Sequence, residues 1–284
     1  TAPGMWFERA GTVFISMPGV PHEMKGLMTD EVLPRLKTRF ETPTIFHKII
    51  QTVGIGESYL AEKIADWEDA LPPHIRLAYL PSLGNVKLRL TGTGSNETLL
   101  RREIGEQVQA VLPLIHPFVF GFDQDELVEV VGKLLTQFNQ SVATAESCTG
   151  GYLAHQLTRF SGSSKHFMGG IVSYSNEAKM QFLGVRAATL LEHGAVSEET
   201  IQEMAEGTRL RFGTTFGLAT SGIAGPDGGT EQKPVGTIWI AVSTAEETLT
   251  RNLQLGGDRE QNIHLTAIYL LNLLRKVVLQ EELV

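Results

Sequence analysis

The chain has 284 residues, a net charge of -8 and a composition that is 42% hydrophobic and 20% charged. That length suits two or three domains with apolar cores, and the acidic balance excludes a general nucleic-acid binder, which needs a basic surface against phosphates. A single cysteine, Cys148, excludes an internal disulfide framework and a multi-cysteine metal site, and it fits a reducing, cytoplasmic setting.

No run approaches the roughly 18 apolar residues of a membrane span. The opening Thr1-Ala2-Pro3-Gly4 lacks the basic and then apolar regions of a signal peptide. Along residues 1–43, a short apolar run at 12–16 predicts a strand. A turn follows at Pro18-Gly19-Val20-Pro21-His22, and then a helix over 23–40 with Met24, Leu27, Met28, Val32, Leu33 and Leu36 at helical spacing. That is half of an α/β unit, as expected of a domain truncated at its front.

From 44 to 120 the order changes: a strand over 46–53, a helix opened by Gly54-Ile55-Gly56-Glu57, strands over 76–80 and 86–91, and a helix over 95–112 capped by Ser95 or Asn96. This is a small two-layer α+β domain. Pro113, Pro117 and Gly121 read as its exit linker. From 123 to 284, strands over 141–145, 170–174, 218–221 and 237–243 alternate with helices. The alternation predicts an α/β sandwich with both faces of the sheet covered. The last helix, over 258–279, carries Ile263, Ala267, Leu270, Leu271 and Leu274 as core or as a dimer interface.

Four segments bear polar groups where chemistry is expected. Ser147 follows a strand, with Gly150 and Gly151 behind it; it is either an ordinary helix cap or a residue beside free helix amides that bind an anion. Lys179, five residues beyond Tyr174, is either a solvated helix lysine or a general base of depressed pKa. Ser221-Gly222-Ile223-Ala224-Gly225-Pro226-Asp227-Gly228-Gly229 is a long surface turn or a backbone cradle for an anion or a sugar. Arg259, behind a capping Asp258, is an exposed salt-bridging arginine or a phosphate clamp. The Gly-rich turns follow predicted strands, at the edge where open α/β sheets bind ligands.

Together, Ala145-Glu146-Ser147-Cys148-Thr149-Gly150-Gly151, Tyr174-Ser175-Asn176-Glu177-Ala178-Lys179, Gly194-Ala195-Val196-Ser197, the loop from Ser221 to Gly229, and Gly257-Asp258-Arg259 resemble the C-terminal domain of the CinA (competence/damage-inducible) family. The front, through Met17-Pro18-Gly19-Val20-Pro21-His22-Glu23-Met24, resembles the second half of that family's molybdopterin-binding-like domain, and residues 44–120 resemble its KH-like domain. The resemblance therefore implies three parts: 1–43, a fragment of an N-terminal α/β domain; 44–120, KH-like α+β; and 123–284, the deamidase domain.

The activity implied is nicotinamide mononucleotide deamidation in pyridine nucleotide salvage, with Ser147 as nucleophile, Lys179 as base and Tyr174 assisting. Glu146, Thr149, Gly150, Gly151, Asn176, Ser221, Gly222, Ile223, Ala224, Gly225 and Arg259 would hold the substrate. The deamidase needs no cofactor or metal; a divalent metal is expected only if the truncated front, with His22 and Glu23, keeps the family's ADP-ribose pyrophosphatase activity. Cys148 reads as a small packed residue. The expected partners are a small nucleotide substrate and a second copy in a homodimer, with no membrane. No nucleic acid is expected, because Gly54-Ile55-Gly56-Glu57 is not a Gly-X-X-Gly clamp and its helix is acidic. A non-enzymatic nucleotide-binding protein is the alternative.

Overall fold

The computed structural model describes residues 3–281. In the front segment, β1 (Met5–Arg9) and β2 (Thr12–Ser16) form an antiparallel hairpin. Its turn residues Ala10 and Gly11 both take positive φ, 51° and 78°, as tight hairpin turns require. Strand β1 is absent from the sequence reading because all its residues but Trp6 are exposed, so no alternation of burial marks it. The helix expected over 23–40 is α1 (Pro21–Leu27) and α2 (Leu33–Arg39) joined by a π turn at Met28–Val32.

The next body is a four-stranded antiparallel sheet covered on one face by two helices. Its elements are β3 (Thr44–Val53), α3 (Glu57–Asp69), β4 (Ile75–Ser82), β5 (Asn85–Gly94), α4 (Glu97–Ile115) and β6 (Val119–Phe122), with strand order β4-β5-β3-β6. Ile50, Leu88 and Leu90 from the sheet meet Leu60, Ile64, Ile104 and Ile115 from the helices. Asn96 caps α4, accepting from the Leu99 amide at 3.1 Å. The expected exit linker at Pro113, Pro117 and Gly121 is corrected: Pro113 lies inside α4, and Gly121 belongs to β6, opposite Gln51. Local turn formers masked a strand that exists only through pairing with β3, some 70 residues away.

The C-terminal body comprises α5 (Leu127–Gln137), β7 (Val142–Glu146), α6 (Tyr152–Thr158), β8 (Phe167–Val172), α7 (Asn176–Leu183), α8 (Ala187–His193), α9 (Glu198–Phe212), β9 (Phe216–Gly222), β10 (Thr237–Ser243), β11 (Thr248–Gln254) and α10 (Arg259–Leu279). The sheet order is β11-β10-β9-β7-β8, with β7 parallel to both β8 and β9 and the other pairs antiparallel. β11 and α8 add to the elements read from sequence. The expected α/β architecture holds, with helices on both faces.

The two faces differ in kind. Val142, Leu218, Ile238, Ile240 and Val242 point toward α5, α6 and α10, and Leu270, Leu271 and Leu274 place α10 in that core. The alternate positions, Ala145, Ala219 and Ala241, are small and face α9 through Ile201, Met204 and Ala205. The small side chains let α9 approach closely: a Cβ on Gly217 would fall 2.1 Å from the Ala205 carbonyl oxygen. Gly207 of α9 in turn seats α7, since a Cβ there would fall 1.8 Å from the Leu183 carbonyl oxygen. Among the described residues no helix is long and apolar enough to cross a membrane.

Substituting Gly207→Ala should therefore force α7 off α9 and lower stability by roughly 1–3 kcal/mol in urea unfolding, the scale of overpacking. The comparison is Gly105→Ala in α4, where a Cβ meets nothing within 4 Å and the change should stabilise by up to about 1 kcal/mol. Equal stability of the two variants would contradict the close seating of α7.

Candidate active site

The parallel strands β7, β8 and β9 end side by side, and their following turns converge there. Ser147 leaves β7 with its amide held by the Thr220 carbonyl of β9 at 2.9 Å, while the Ser173 amide donates to the Glu146 carbonyl at 2.8 Å. These bonds extend the sheet by one residue and fix the turn carrying Ser147 between its neighbours. Gly150 and Gly151 then take φ of 60° and 100°, which a side chain would resist, and the chain enters α6 only at Tyr152.

That late start changes the role of the helix end. Ser147 does not cap α6, and the α6 amides are not open to a ligand. The Glu146 carboxylate, with the residue 1% exposed, accepts from the amides of Gly151 at 3.0 Å, Leu153 at 2.9 Å and Ala154 at 2.7 Å, and from the Thr149 hydroxyl at 2.7 Å. An anion belongs at a helix N-terminus, and here the protein supplies its own. The expectation that Glu146 holds substrate is corrected accordingly: its oxygens are committed inward. The amides of Cys148 and Thr149, in the turn itself, donate to no backbone carbonyl among the described residues.

Lys179 is the fourth residue of α7, whose N-terminus is capped by the Ser175 hydroxyl accepting from the Ala178 amide at 3.1 Å. Side chains on a helix lean toward its N-terminus, and this carries the ammonium back to the strand ends. Its Nζ donates to Ser147 Oγ at 3.1 Å and to the Ser173 carbonyl at 2.8 Å, with the Tyr174 carbonyl at 3.5 Å. The side chain is 1% exposed and forms no ion pair with a carboxylate among the described residues. Burial pulls its pKa below the ordinary lysine range, because the charged form loses its water. The solvated alternative for this lysine is thus excluded by geometry.

Tyr174 sits differently from expectation. Its ring is largely exposed, and its hydroxyl accepts from Arg259 Nη2 at 3.1 Å, so only its carbonyl approaches Lys179. Arg259, the first residue of α10 behind its Asp258 cap, also donates through Nη1 to the Gly225 carbonyl at 2.7 Å. One guanidinium thereby joins the turn after β8, the loop after β9 and the start of α10.

The loop residues Ser221, Ile223 and Ala224 are held by the protein's own groups. The Ser221 hydroxyl donates to the Ala195 carbonyl at 2.6 Å, Ile223 exchanges bonds with Thr237 and Gly236, and the Ala224 carbonyl accepts from Asn262 at 3.0 Å. Gly222 abuts Ile238 of β10. Asn176 is exposed at the first turn of α7. Three further residues, absent from the sequence reading, shape the site. Ser173 offers its carbonyl to Lys179, Thr220 holds both Ser147 and the Thr149 hydroxyl, and Lys233 latches the loop by donating to the carbonyls of His193 at 3.0 Å and Val196 at 2.7 Å. A carbonyl acceptor carries no sequence signature, so the Ser173 contact with Lys179 and the Thr220 contact with the Ser147 amide could not be found from residue types. Cys148 is packed in the core, and burial pushes its thiol up to about 12, far from the thiolate a nucleophile needs.

Two family models match stretches of the chain. The family described as CinA C-terminal domain matches residues 124–278, and the damage-inducible protein CinA KH domain matches residues 47–121. A CinA-like protein of Cytophaga hutchinsonii is 56% identical over 276 residues, covering 97% of this chain and 66% of the relative. Another, from Flavobacterium psychrophilum, is 46% identical over 281 residues, covering 99% of this chain and 67% of the relative. The chain thus spans about two thirds of the length of these curated relatives. Among solved structures, the competence damage-inducible protein A (ComA) from Klebsiella pneumoniae superposes with a TM-score of 0.52 at 38% identity, covering 53% of this chain and 94% of that one. The competence/damage inducible protein CihA from Agrobacterium tumefaciens superposes with a TM-score of 0.52 at 37% identity, covering 53% and 93%.

The inward role of Glu146 has a direct consequence. Glu146→Gln keeps the shape but turns an amide NH2 toward backbone donors and removes the charge at the helix end. Unfolding in urea should show a loss of about 1–3 kcal/mol. A variant as stable as the wild type would mean that the carboxylate is not what closes the α6 terminus.

Proposed function

The chain belongs to the CinA family, and from that premise we propose that its C-terminal domain is a serine amidohydrolase converting nicotinamide mononucleotide to nicotinic acid mononucleotide and ammonia. The observation that carries this reading is the 3.1 Å contact between Lys179 Nζ and Ser147 Oγ in buried surroundings, without a carboxylate partner among the described residues. A lysine in such a place loses its proton more readily and can serve as a base.

In the proposed reaction, neutral Lys179 takes the hydroxyl proton as Ser147 Oγ bonds to the carboxamide carbon. The carbonyl π pair moves onto oxygen, and the amides of Cys148 and Thr149 stabilise that oxyanion. As the pair returns, the C–N bond breaks, and the Lys179 ammonium delivers its proton to the leaving nitrogen. Ammonia departs and leaves an ester on Ser147. Lys179, neutral again, takes a proton from water as the water oxygen attacks the ester, and returns it to Ser147 Oγ on release of the acid. An unactivated amide resists water, so dividing the work between two acyl transfers around one oriented nucleophile suits the substrate.

Arg259 is assigned to the phosphate of the mononucleotide, through the guanidinium N–H groups left over from its bonds to Gly225 and Tyr174. Tyr174 orients that guanidinium with its hydroxyl and steadies Lys179 with its carbonyl, rather than relaying a proton. Thr149, Gly150, Gly151, Asn176 and the Gly222–Gly225 stretch, on the turns that follow the same strand ends, are assigned to the proposed substrate site.

Ammonia release from nicotinamide mononucleotide, with free nicotinamide as comparison, tests the assignment. Ser147→Ala should lower kcat by about 1,000-fold or more while leaving the fold intact; near-normal turnover would remove the serine mechanism. The base must be neutral, so kcat/KM should rise with pH along a limb lying below the ordinary lysine range, and a flat profile there would contradict Lys179 as base. Arg259→Ala should raise KM for the mononucleotide by roughly 10- to 100-fold with a smaller effect on kcat. An unchanged KM would show that the phosphate sits elsewhere.

A further inference from the structure

A cavity of about 360 Å³ lies between the KH-like sheet and the C-terminal domain, and it contains none of the residues assigned to the amide chemistry. Its volume is within the range of small-molecule sites. Asn85 and Lys87 of β5 line one side, and Tyr152 of α6 and His264 of α10 line the other.

The lining holds groups that lack partners. Lys87 is half-buried, and its side chain forms neither a hydrogen bond nor an ion pair among the described residues. Glu126 is already paired with Arg159, and Asp125 uses one oxygen to accept from the Phe122 amide at 2.8 Å, leaving the other for a donor. The cavity therefore offers Lys87 to an anion, and the second Asp125 oxygen to an N–H or O–H group. Tyr152 and His264 add two rings with centroids 5.7 Å apart, locked by a 2.8 Å contact between the phenol oxygen and Nδ1, against which a flat heterocycle can lie.

We infer that this interdomain cavity is a second ligand site for a nucleoside monophosphate, with the phosphate on Lys87 and the donor-bearing heterocycle against Asp125 and the Tyr152–His264 pair. The binding claim is independent of the amidase reading. The position links it to catalysis, because Tyr152 opens the helix behind the Ser147 turn and His264 lies on the helix begun by Arg259. A ligand there braces both elements against the KH-like domain.

Calorimetric titration of the whole chain with adenosine monophosphate, adenosine and inorganic phosphate tests the inference, since only the first joins the anion to the heterocycle. Adenosine monophosphate should bind at least about tenfold more tightly than either fragment. Lys87→Ala should weaken it about tenfold or more, Lys87→Arg should restore most of the affinity, and Arg259→Ala should leave it unchanged. Failure of adenosine monophosphate to bind, or equal binding to Lys87→Ala, would overturn the inference. So would binding lost in Arg259→Ala and kept in Lys87→Ala, which would put the nucleotide in the catalytic site instead.

Discussion

Lys179 is held almost out of water with its Nζ against a serine hydroxyl and backbone carbonyls, and the C-terminal domain is arranged around keeping it there without a negative partner among the described residues. The nearest threat to that arrangement is Glu146, adjacent in sequence to Ser147. A carboxylate paired with Lys179 would hold the proton on the amine and disable it as a base. Four hydrogen bonds instead tie Glu146 to Thr149 and the α6 terminus, so its charge is answered by the helix dipole. The carboxylate and the amine are buried in one small region and kept apart by giving each different neutral partners.

The sheet supplies the rigidity this separation needs. Its alanine face lets α9 lie close, α9 seats α7 through Gly207, and α7 aims Lys179 at the end of β7. The other face is filled by α5, α6 and α10, and α10 ends its contribution at Arg259, on the open edge. The same packing explains why Cys148, next to Ser147, is chemically silent: it faces the core rather than the turn's outer side.

Much of this was legible in the sequence because it rests on local patterns. The strand-turn segments around Ser147, Tyr174 and Ser221 announce themselves by apolar runs ending in Gly, Ser and Thr, and Asp258 and Asn96 cap their helices as their positions suggest. What was not legible depends on distant partners. β6 is a strand only because β3 lies beside it, and β1 is exposed almost throughout. Glu146 cannot be told from a substrate ligand until α6 is seen to begin at Tyr152. The Tyr174 hydroxyl could not be sent to Arg259 by any local rule, since the two are joined only when the turn after β8 and the start of α10 meet.

The central claim is that Ser147, and not the neighbouring Cys148, becomes covalently acylated through the action of Lys179. The most direct test is mass spectrometry of the protein acid-quenched during turnover of nicotinamide mononucleotide, followed by mapping of the peptide that contains both residues. The account predicts an ester of the nicotinate mononucleotide on Ser147 that accumulates within the first turnover and disappears as substrate is exhausted. An adduct on Cys148, or turnover with no covalent adduct on this peptide under conditions that preserve esters, would contradict it.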